Sequence, residues 1–228
     1  MKQFATPLAA LLALALCAPA SAAERNAKPA RKTSLAGAGM EIGAVYEAWL
    51  SPQQEGGEEE DTPAATPAVF RSTTPSTPRE QRKSRGYGTI SFSKDLSRAW
   101  VKLEIEGVKI QEINMFHLHC GRPGQLGPIL VDFGVKDGAK VDLPAAFAKG
   151  MFEREVKNAD ITAVTEHSHG AVDFATKGCP IVQTLPQDRV KNIAGMEYIT
   201  SQGELYFNLH TTSQTYFGDI RGVLKRIK

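Results

Sequence analysis

Two histidine-containing motifs stand out in this sequence, because both lie in segments with the apolar character of β-strands. The first is His117-Leu118-His119 and the second is Asn208-Leu209-His210-Thr211. Side chains alternate between the two faces of a strand, so His117 and His119 are expected to point the same way. This spacing predicts that the two rings can hold one metal ion or one anionic partner.

Copper or zinc is the cofactor that the histidines suggest, because neutral imidazole nitrogens are good ligands for both ions. We expect His117, His119 and His210 to converge from neighbouring strands. The fourth ligand would be water or a histidine of His167-Ser168-His169, a weaker candidate in a polar insertion ahead of Gly170. Metal storage, metal delivery and weak redox chemistry remain open as roles for such a site.

A structural role would explain the same histidines if each ring donated one N–H group to a neighbouring acceptor and fixed the strand register. Asn208 and Thr211 are the expected short-range partners. Asp219 and Arg221, two positions apart, are expected to share a face and to form a structural ion pair. The sequence leaves this role, metal binding, and the binding of a small anion or glycan as alternatives.

No catalytic residue is predicted from the sequence. It contains no Gly-x-Ser-x-Gly elbow, no glycine-rich phosphate loop and no His-Glu-x-x-His helix. A non-enzymatic protein is therefore the expectation.

The first 22 residues have the features of a secretory signal. Lys2 is their only charge, the run from Leu8 to Leu16 is apolar, and Ala20-Ser21-Ala22 supplies small residues for cleavage. The apolar run is too short to anchor the chain in a bilayer. We expect a protein exported to the periplasm or secreted, with residues 23–41 as a flexible lead-in.

After removal of the signal, two cysteines remain, Cys120 and Cys179. In an oxidising compartment a disulfide between them is the default expectation, and two unpaired buried thiols are the alternative. Strand alternation turns Cys120 away from His117 and His119, which favours a structural sulfur over a metal ligand.

Charge and hydropathy exclude two classes of partner. The formal net charge of +2 is far from the concentrated positive charge that nucleic-acid binding needs. No second apolar run is long enough to cross a membrane. A hydrophobic content of 42% suffices for one substantial core, so a single domain over residues 42–228 is expected.

Short alternating segments predict an all-β fold, an antiparallel sandwich with one or two short helices. Helical spacing favours helices over 188–200 and 142–149. Two segments interrupt the pattern: a Pro-, Ser-, Thr- and Glu-rich stretch at 51–85, predicted to be a disordered loop, and an insertion at 166–189. Strands are predicted at 45–50, 88–92, 99–105, 113–119, 127–133, 205–211 and 220–227.

The order and spacing of several blocks over residues 44–226 resemble the CHRD domain, a module named after chordin and widespread in secreted bacterial proteins. The most specific blocks are the strand that ends in His210 and the Gly218-Asp219-Ile220-Arg221-Gly222 sequence after it. The other blocks are Ala48-Trp49-Leu50-Ser51-Pro52-Gln53-Gln54-Glu55, Gly88-Thr89-Ile90, Phe116-His117-Leu118-His119 and Gly127-Pro128-Ile129-Leu130-Val131.

The resemblance implies an immunoglobulin-like Greek-key sandwich, similar in topology to copper-zinc superoxide dismutases, which carry a His-x-His strand in their metal site. A shared fold does not transfer a function. We therefore expect a non-enzymatic binding or structural module of the cell envelope, with an extracytoplasmic protein or glycan as its partner. The competing hypothesis is a copper- or zinc-binding protein with superoxide dismutase-like redox chemistry.

Overall fold

The protein is described here from a computed structural model, which covers residues 40–166, 178–180 and 188–228. The predicted signal at 1–22, residues 23–39 of the predicted lead-in, and His167 and His169 lie outside the described residues. Among the described helices, none combines the length and the hydropathy needed to cross a bilayer.

Two antiparallel sheets form a sandwich, which confirms the predicted all-β class. The larger sheet has the order β11-β1-β2-β3-β8, and the smaller has the order β10-β9-β4-β5. The larger sheet contains β1 (Ile42–Leu50), β2 (Arg85–Ser93), β3 (Ala99–Glu106), β8 (Met151–Val156) and β11 (Lys225–Arg226). The smaller contains β4 (Ile113–Cys120), β5 (Ile129–Asp132), β9 (Leu205–Thr211) and β10 (Ile220–Val223), and a separate hairpin pairs β6 (Val135–Lys136) with β7 (Ala139–Lys140).

Three α-helices occur in the described residues: α1 (Leu143–Ala146), α2 (Asn158–Glu166) and α3 (Ile193–Ser201). Helix α1 begins where the sequence predicts, because the Asp142 side chain caps it by accepting a hydrogen bond from the Ala145 amide. Helix α3 begins after Asn192, whose side chain accepts from the Gly195 amide, and not near Asp188.

The core between the sheets is built from the inward-facing side chains of alternating strands. Phe116 of β4 lies at its centre and stacks against Phe133 and Phe207, with ring centroids 4.6 and 5.9 Å away. Phe147 and Phe152 meet the same ring edge-on. Burying large aromatic rings in contact contributes strongly to stability, so β4 is held firmly from its inner face.

The segment between β1 and β2 lies over the outer face of the smaller sheet, which is why every residue of β9 is buried. Its three short 3₁₀ helices are Pro52–Gln54, Glu59–Asp61 and Ala68–Phe70. The Glu59 carboxylate accepts hydrogen bonds from the Tyr216 amide at 3.0 Å and from the Ser72 hydroxyl at 2.6 Å. That this segment is disordered in solution stays a prediction; the structure shows the conformation in which it covers the sheet.

A disulfide joins Cys120, at the end of β4, to Cys179, with 5.8 Å between their Cα atoms. The pairing expected from the sequence is therefore confirmed. The bond ties the 166–189 insertion to the end of the histidine-bearing strand.

Replacing both cysteines by serine should lower the free energy of unfolding by about 4 kcal/mol, because the bond closes a loop across a sequence separation of 59 residues. Urea denaturation of the oxidised protein and of the Cys120→Ser/Cys179→Ser variant measures the difference. Equal unfolding free energies would show that the bond does not constrain the unfolded chain.

Candidate metal centre

The site is built on β4 and β9, the two central strands of the smaller sheet. In their antiparallel register Met115 pairs with His210, His117 with Asn208, and His119 with Tyr206. Alternation turns Phe116 and Leu118 into the core, so His117 and His119 face outward together; the sequence predicted that they point the same way.

The three histidine rings lie together on this outer face. The ring centroid of His117 is 5.1 Å from that of His119 and 5.3 Å from that of His210. His117 and His210 are buried, and His119 is partly exposed. The structure thus brings together the three histidines that the sequence singled out.

Backbone carbonyls fix the tautomers of two rings. His119 Nδ1 lies 2.8 Å from the Gly127 oxygen, and His210 Nδ1 lies 2.9 Å from the Thr215 oxygen. A carbonyl only accepts, so both Nδ1 atoms must carry the proton and both Nε2 atoms must present a lone pair. The Nε2 atom of His210 is buried and has no hydrogen-bond partner among the described residues.

The third ring is oriented by an acid. His117 Nε2 lies 3.5 Å from the Asp132 carboxylate, and His117 Nδ1 lies 3.3 Å from His119 Nε2. If the Nε2 proton of His117 faces Asp132, its Nδ1 lone pair faces the lone pair of His119. Two such lone pairs at this distance repel unless a proton or a cation lies between them.

Each ring offers one potential ligand nitrogen, and these three atoms all lie within 4.8 Å of one another. Two nitrogens bound to one tetrahedral ion at about 2.0–2.1 Å would be about 3.3–3.4 Å apart. The separation of 3.3 Å between His117 Nδ1 and His119 Nε2 fits that spacing. The chemistry of the donors, three imidazoles, fits copper or zinc.

Loss of solvation favours the neutral form of His119 and His210, the form that binds a metal. The pKa of His210 is lowered to about 3, mainly because the ring loses solvation and then because His117 lies beside it. The pKa of His119 is also well below its usual value, first because of burial and then because of His117 and His210. At neutral pH neither His119 nor His210 needs to lose a proton before it can coordinate an ion.

A ring stack supports His119 from the side. The Tyr206 ring lies almost parallel to that of His119, with centroids 5.3 Å apart, and the Arg221 guanidinium lies 3.5 Å from the Tyr206 centroid. The Tyr206 hydroxyl accepts from the Gly127 amide at 3.1 Å. A Cβ atom on Gly127 would lie 1.5 Å from the Cys120 carbonyl oxygen, so only glycine allows this turn to approach His119.

The remaining predicted motif residues hold the surroundings of the site. Asp219 accepts from Ser84 at 3.0 Å and pairs with Arg82 at 3.5 Å. Arg221 donates to the carbonyls of Gln125 and Arg122 at 2.7 and 2.8 Å. Both members of the expected Asp219–Arg221 pair thus have other partners.

Asn208 and Thr211, expected as partners of the histidines, contact the turn that follows β9. Asn208 Nδ2 donates to the Phe217 oxygen at 2.8 Å, and the Thr211 oxygen accepts from the Thr215 hydroxyl at 3.0 Å. The turn in this way places the Thr215 carbonyl against His210.

A cavity of about 630 Å³ lies directly over the histidines. Its floor includes Met115 and Tyr206, and its roof is formed by Pro63, Pro67 and Phe70 of the covering segment. The size is typical of a small-ligand pocket. Sequence analysis did not identify Met115, Tyr206 or Asp132, although alternation along β4 and β9 places the first two on the histidine face.

Comparison with known protein families identifies the family to which these strands and the Asp219–Arg221 block belong. A family model described as the CHRD domain matches residues 67–224. The chain belongs to the CHRD domain family. The match spans both histidine strands and the Asp219–Arg221 block, so the resemblance seen in the sequence is confirmed. No curated protein and no solved structure matches this chain.

Lowering the pH should destabilise the metal-free CHRD domain. In the unfolded chain His210 takes up a proton near its ordinary pKa of 6.5, whereas in the fold it stays neutral down to about 3. Its stabilising contribution is complete above pH 6.5 and is lost as the pH falls toward 3. The loss from this residue alone should be about 2 kcal/mol between about pH 7.5 and about pH 5.

Urea unfolding with a chelator present measures this slope, and the His210→Asn variant is the matched control. Asparagine keeps an N–H group near the Nδ1 position but does not titrate. Between about pH 7.5 and about pH 5, the unfolding free energy of the variant should therefore fall by about 2 kcal/mol less than that of the wild type. An identical slope in both proteins would contradict the assignment of a buried neutral imidazole.

Proposed function

We propose that this CHRD-domain protein is an exported, non-enzymatic module that binds one copper or zinc ion through His117, His119 and His210. The observation that carries the proposal is the orientation of the three rings. One nitrogen of each ring faces a carbonyl or a carboxylate, and one potential ligand nitrogen from each ring lies within 4.8 Å of those of the other two.

Packing alone explains the contacts of one nitrogen in each ring but not those of the second nitrogen. A structural histidine needs a partner for the nitrogen that carries the proton, and Gly127, Thr215 and Asp132 supply these partners. A proton on His117 Nδ1 could join it to His119 Nε2, but packing leaves unexplained why His210 Nε2 is buried without a hydrogen bond. An ion at the centre would satisfy all three, since oriented imidazoles with outer hydrogen-bond partners are typical of metal sites.

Superoxide dismutase-like redox chemistry is a second candidate, and the cavity is the observation that favours it. Catalysis at a metal requires an open coordination position and a route for the substrate. The space above the histidines would provide such a route. The rate of superoxide removal by the copper-loaded protein, compared with that of a His117→Ala/His119→Ala/His210→Ala variant, tests this candidate.

Export is proposed from the N-terminal segment and is supported by the disulfide. Structural disulfides persist in oxidising compartments, and the Cys120–Cys179 bond fits an extracellular domain. We infer residence in the periplasm or secretion to the medium, as part of the cell envelope. An extracytoplasmic protein or glycan stays the proposed partner of the module.

Elemental analysis tests metal binding directly. The mature protein, purified from a periplasm supplied with copper and zinc, should contain about one equivalent of one of these ions. The His117→Ala/His119→Ala/His210→Ala variant should contain none, because each substitution removes a ligand. Circular dichroism of the variant should still show the β-sandwich, since the core and the disulfide are unchanged.

A His167→Ala/His169→Ala variant is the matched control, as it removes imidazoles outside the proposed ligand set. It should keep the ion. Wild-type protein without metal, even after titration with both ions, would contradict the proposal and leave the three histidines as packing residues. Loss of the ion only in the control variant would place the site elsewhere.

A further inference from the structure

Met115 lies on the same face of β4 as His117 and His119, because the three residues follow one another at steps of two along the strand. It is also the direct cross-strand partner of His210 in the register between β4 and β9. Side chains opposite each other in an antiparallel pair have Cβ atoms about 4.5–5.5 Å apart. Met115 and the three histidines line the same cavity.

We propose that Met115 is a fourth ligand and that the site selects copper(I) over zinc(II). This inference rests on the proposed function. A thioether is a soft ligand that binds copper(I) well, whereas it adds little to the affinity for zinc(II). The methionine side chain has three rotatable bonds, so its sulfur can reach an ion held by the histidine on the facing strand.

The charge of the surroundings points to the same ion. Three neutral imidazoles and a thioether contribute no charge, and the acid that faces this cluster in the described part of the chain is Asp132, beside His117. A monovalent ion together with this carboxylate would be neutral. A divalent ion would leave an uncompensated positive charge in a cavity walled by proline, leucine, isoleucine and phenylalanine side chains. Burying such a charge is costly.

The remaining cavity residues give no competing preference for a hard ion. Carboxylate and carbonyl oxygens suit magnesium, calcium and manganese, and the described cavity lining contains no acidic side chain. The other polar side chains of the described lining are all neutral; they are the hydroxyls of Thr66, Thr215, Tyr206 and Tyr216 and the amide of Asn208. The donor set is therefore soft, with nitrogen and sulfur as its ligand atoms.

Competition titrations with the mature protein test the inference. Copper(I) is titrated without oxygen against bicinchoninate, and zinc(II) against a chromophoric zinc chelator. Met115→Leu keeps the volume of the side chain but removes its sulfur. The copper(I) affinity of this variant should fall at least about tenfold, since even residues that only support a metal ligand are worth about 10- to 100-fold. Its zinc affinity should stay unchanged.

Met151→Leu is the matched control, because Met151 lies on β8 of the other sheet. It should bind both ions like the wild type. Equal copper(I) affinity in the Met115→Leu variant and in the wild type would overturn the role of Met115 while leaving the histidine site intact. An equal loss of affinity for both ions in the Met115→Leu variant would also overturn the role of Met115, because it would show that the substitution acts through packing. A wild type that binds neither ion would instead overturn the proposed function.

Discussion

Each histidine of the site turns one ring nitrogen toward a fixed acceptor, and this constraint determines where the other nitrogen points. The Gly127 carbonyl orients His119, the Thr215 carbonyl orients His210, and the Asp132 carboxylate lies against His117. Burial disfavours a second proton on His119 and His210. If His117 carries its proton on the Nε2 atom that faces Asp132, the three remaining lone pairs face one another without a proton to separate them. The metal hypothesis follows from this repulsion more than from the presence of three histidines.

The rest of the fold supplies rigidity for these orientations. The phenylalanine cluster around Phe116 holds β4 from inside, and the stack of Arg221, Tyr206 and His119 supports it from outside. The Arg221 side chain also binds two carbonyls of the turn that precedes Gly127. The Gly-Asp-Ile-Arg-Gly block of the CHRD family thus acts here as a support for the turn that orients His119.

The segment between β1 and β2 converts an open sheet face into a cavity. Near the start of the segment, the Glu59 carboxylate accepts hydrogen bonds from the Ser72 hydroxyl and the Tyr216 amide. Near its end, the Arg82 guanidinium donates to the Gly218 and Asp219 carbonyls. These contacts fasten both ends of the segment next to the strands that carry the site. A ligand approaching the histidines would meet its proline and phenylalanine side chains first.

Strand alternation allowed the sequence to predict the sandwich and the shared face of His117 and His119. Strand β8 was not predicted, because Met151–Val156 buries mainly Phe152 and Val156 and shows no regular alternation. The ring tautomers were also beyond sequence reasoning, since Gly127 and Thr215 act through backbone oxygens that depend on turn geometry. Composition predicted mobility for residues 51–85. It could not reveal that the Glu59 carboxylate would accept hydrogen bonds from the Tyr216 and Phe217 amides, which lie in the turn after β9.

The convergence of three imidazoles on one ion is the central claim, and anomalous diffraction tests it most directly. Crystals of the mature protein are soaked separately in copper(I) and in zinc and measured on both sides of each metal's edge. At least one of the two ions should show one peak about 2.0–2.1 Å from a nitrogen of each of the three histidines. The Nδ1 atoms of His119 and His210 should still face their carbonyls. A peak held only by other side chains, or no peak with the three rings unchanged, would contradict the account.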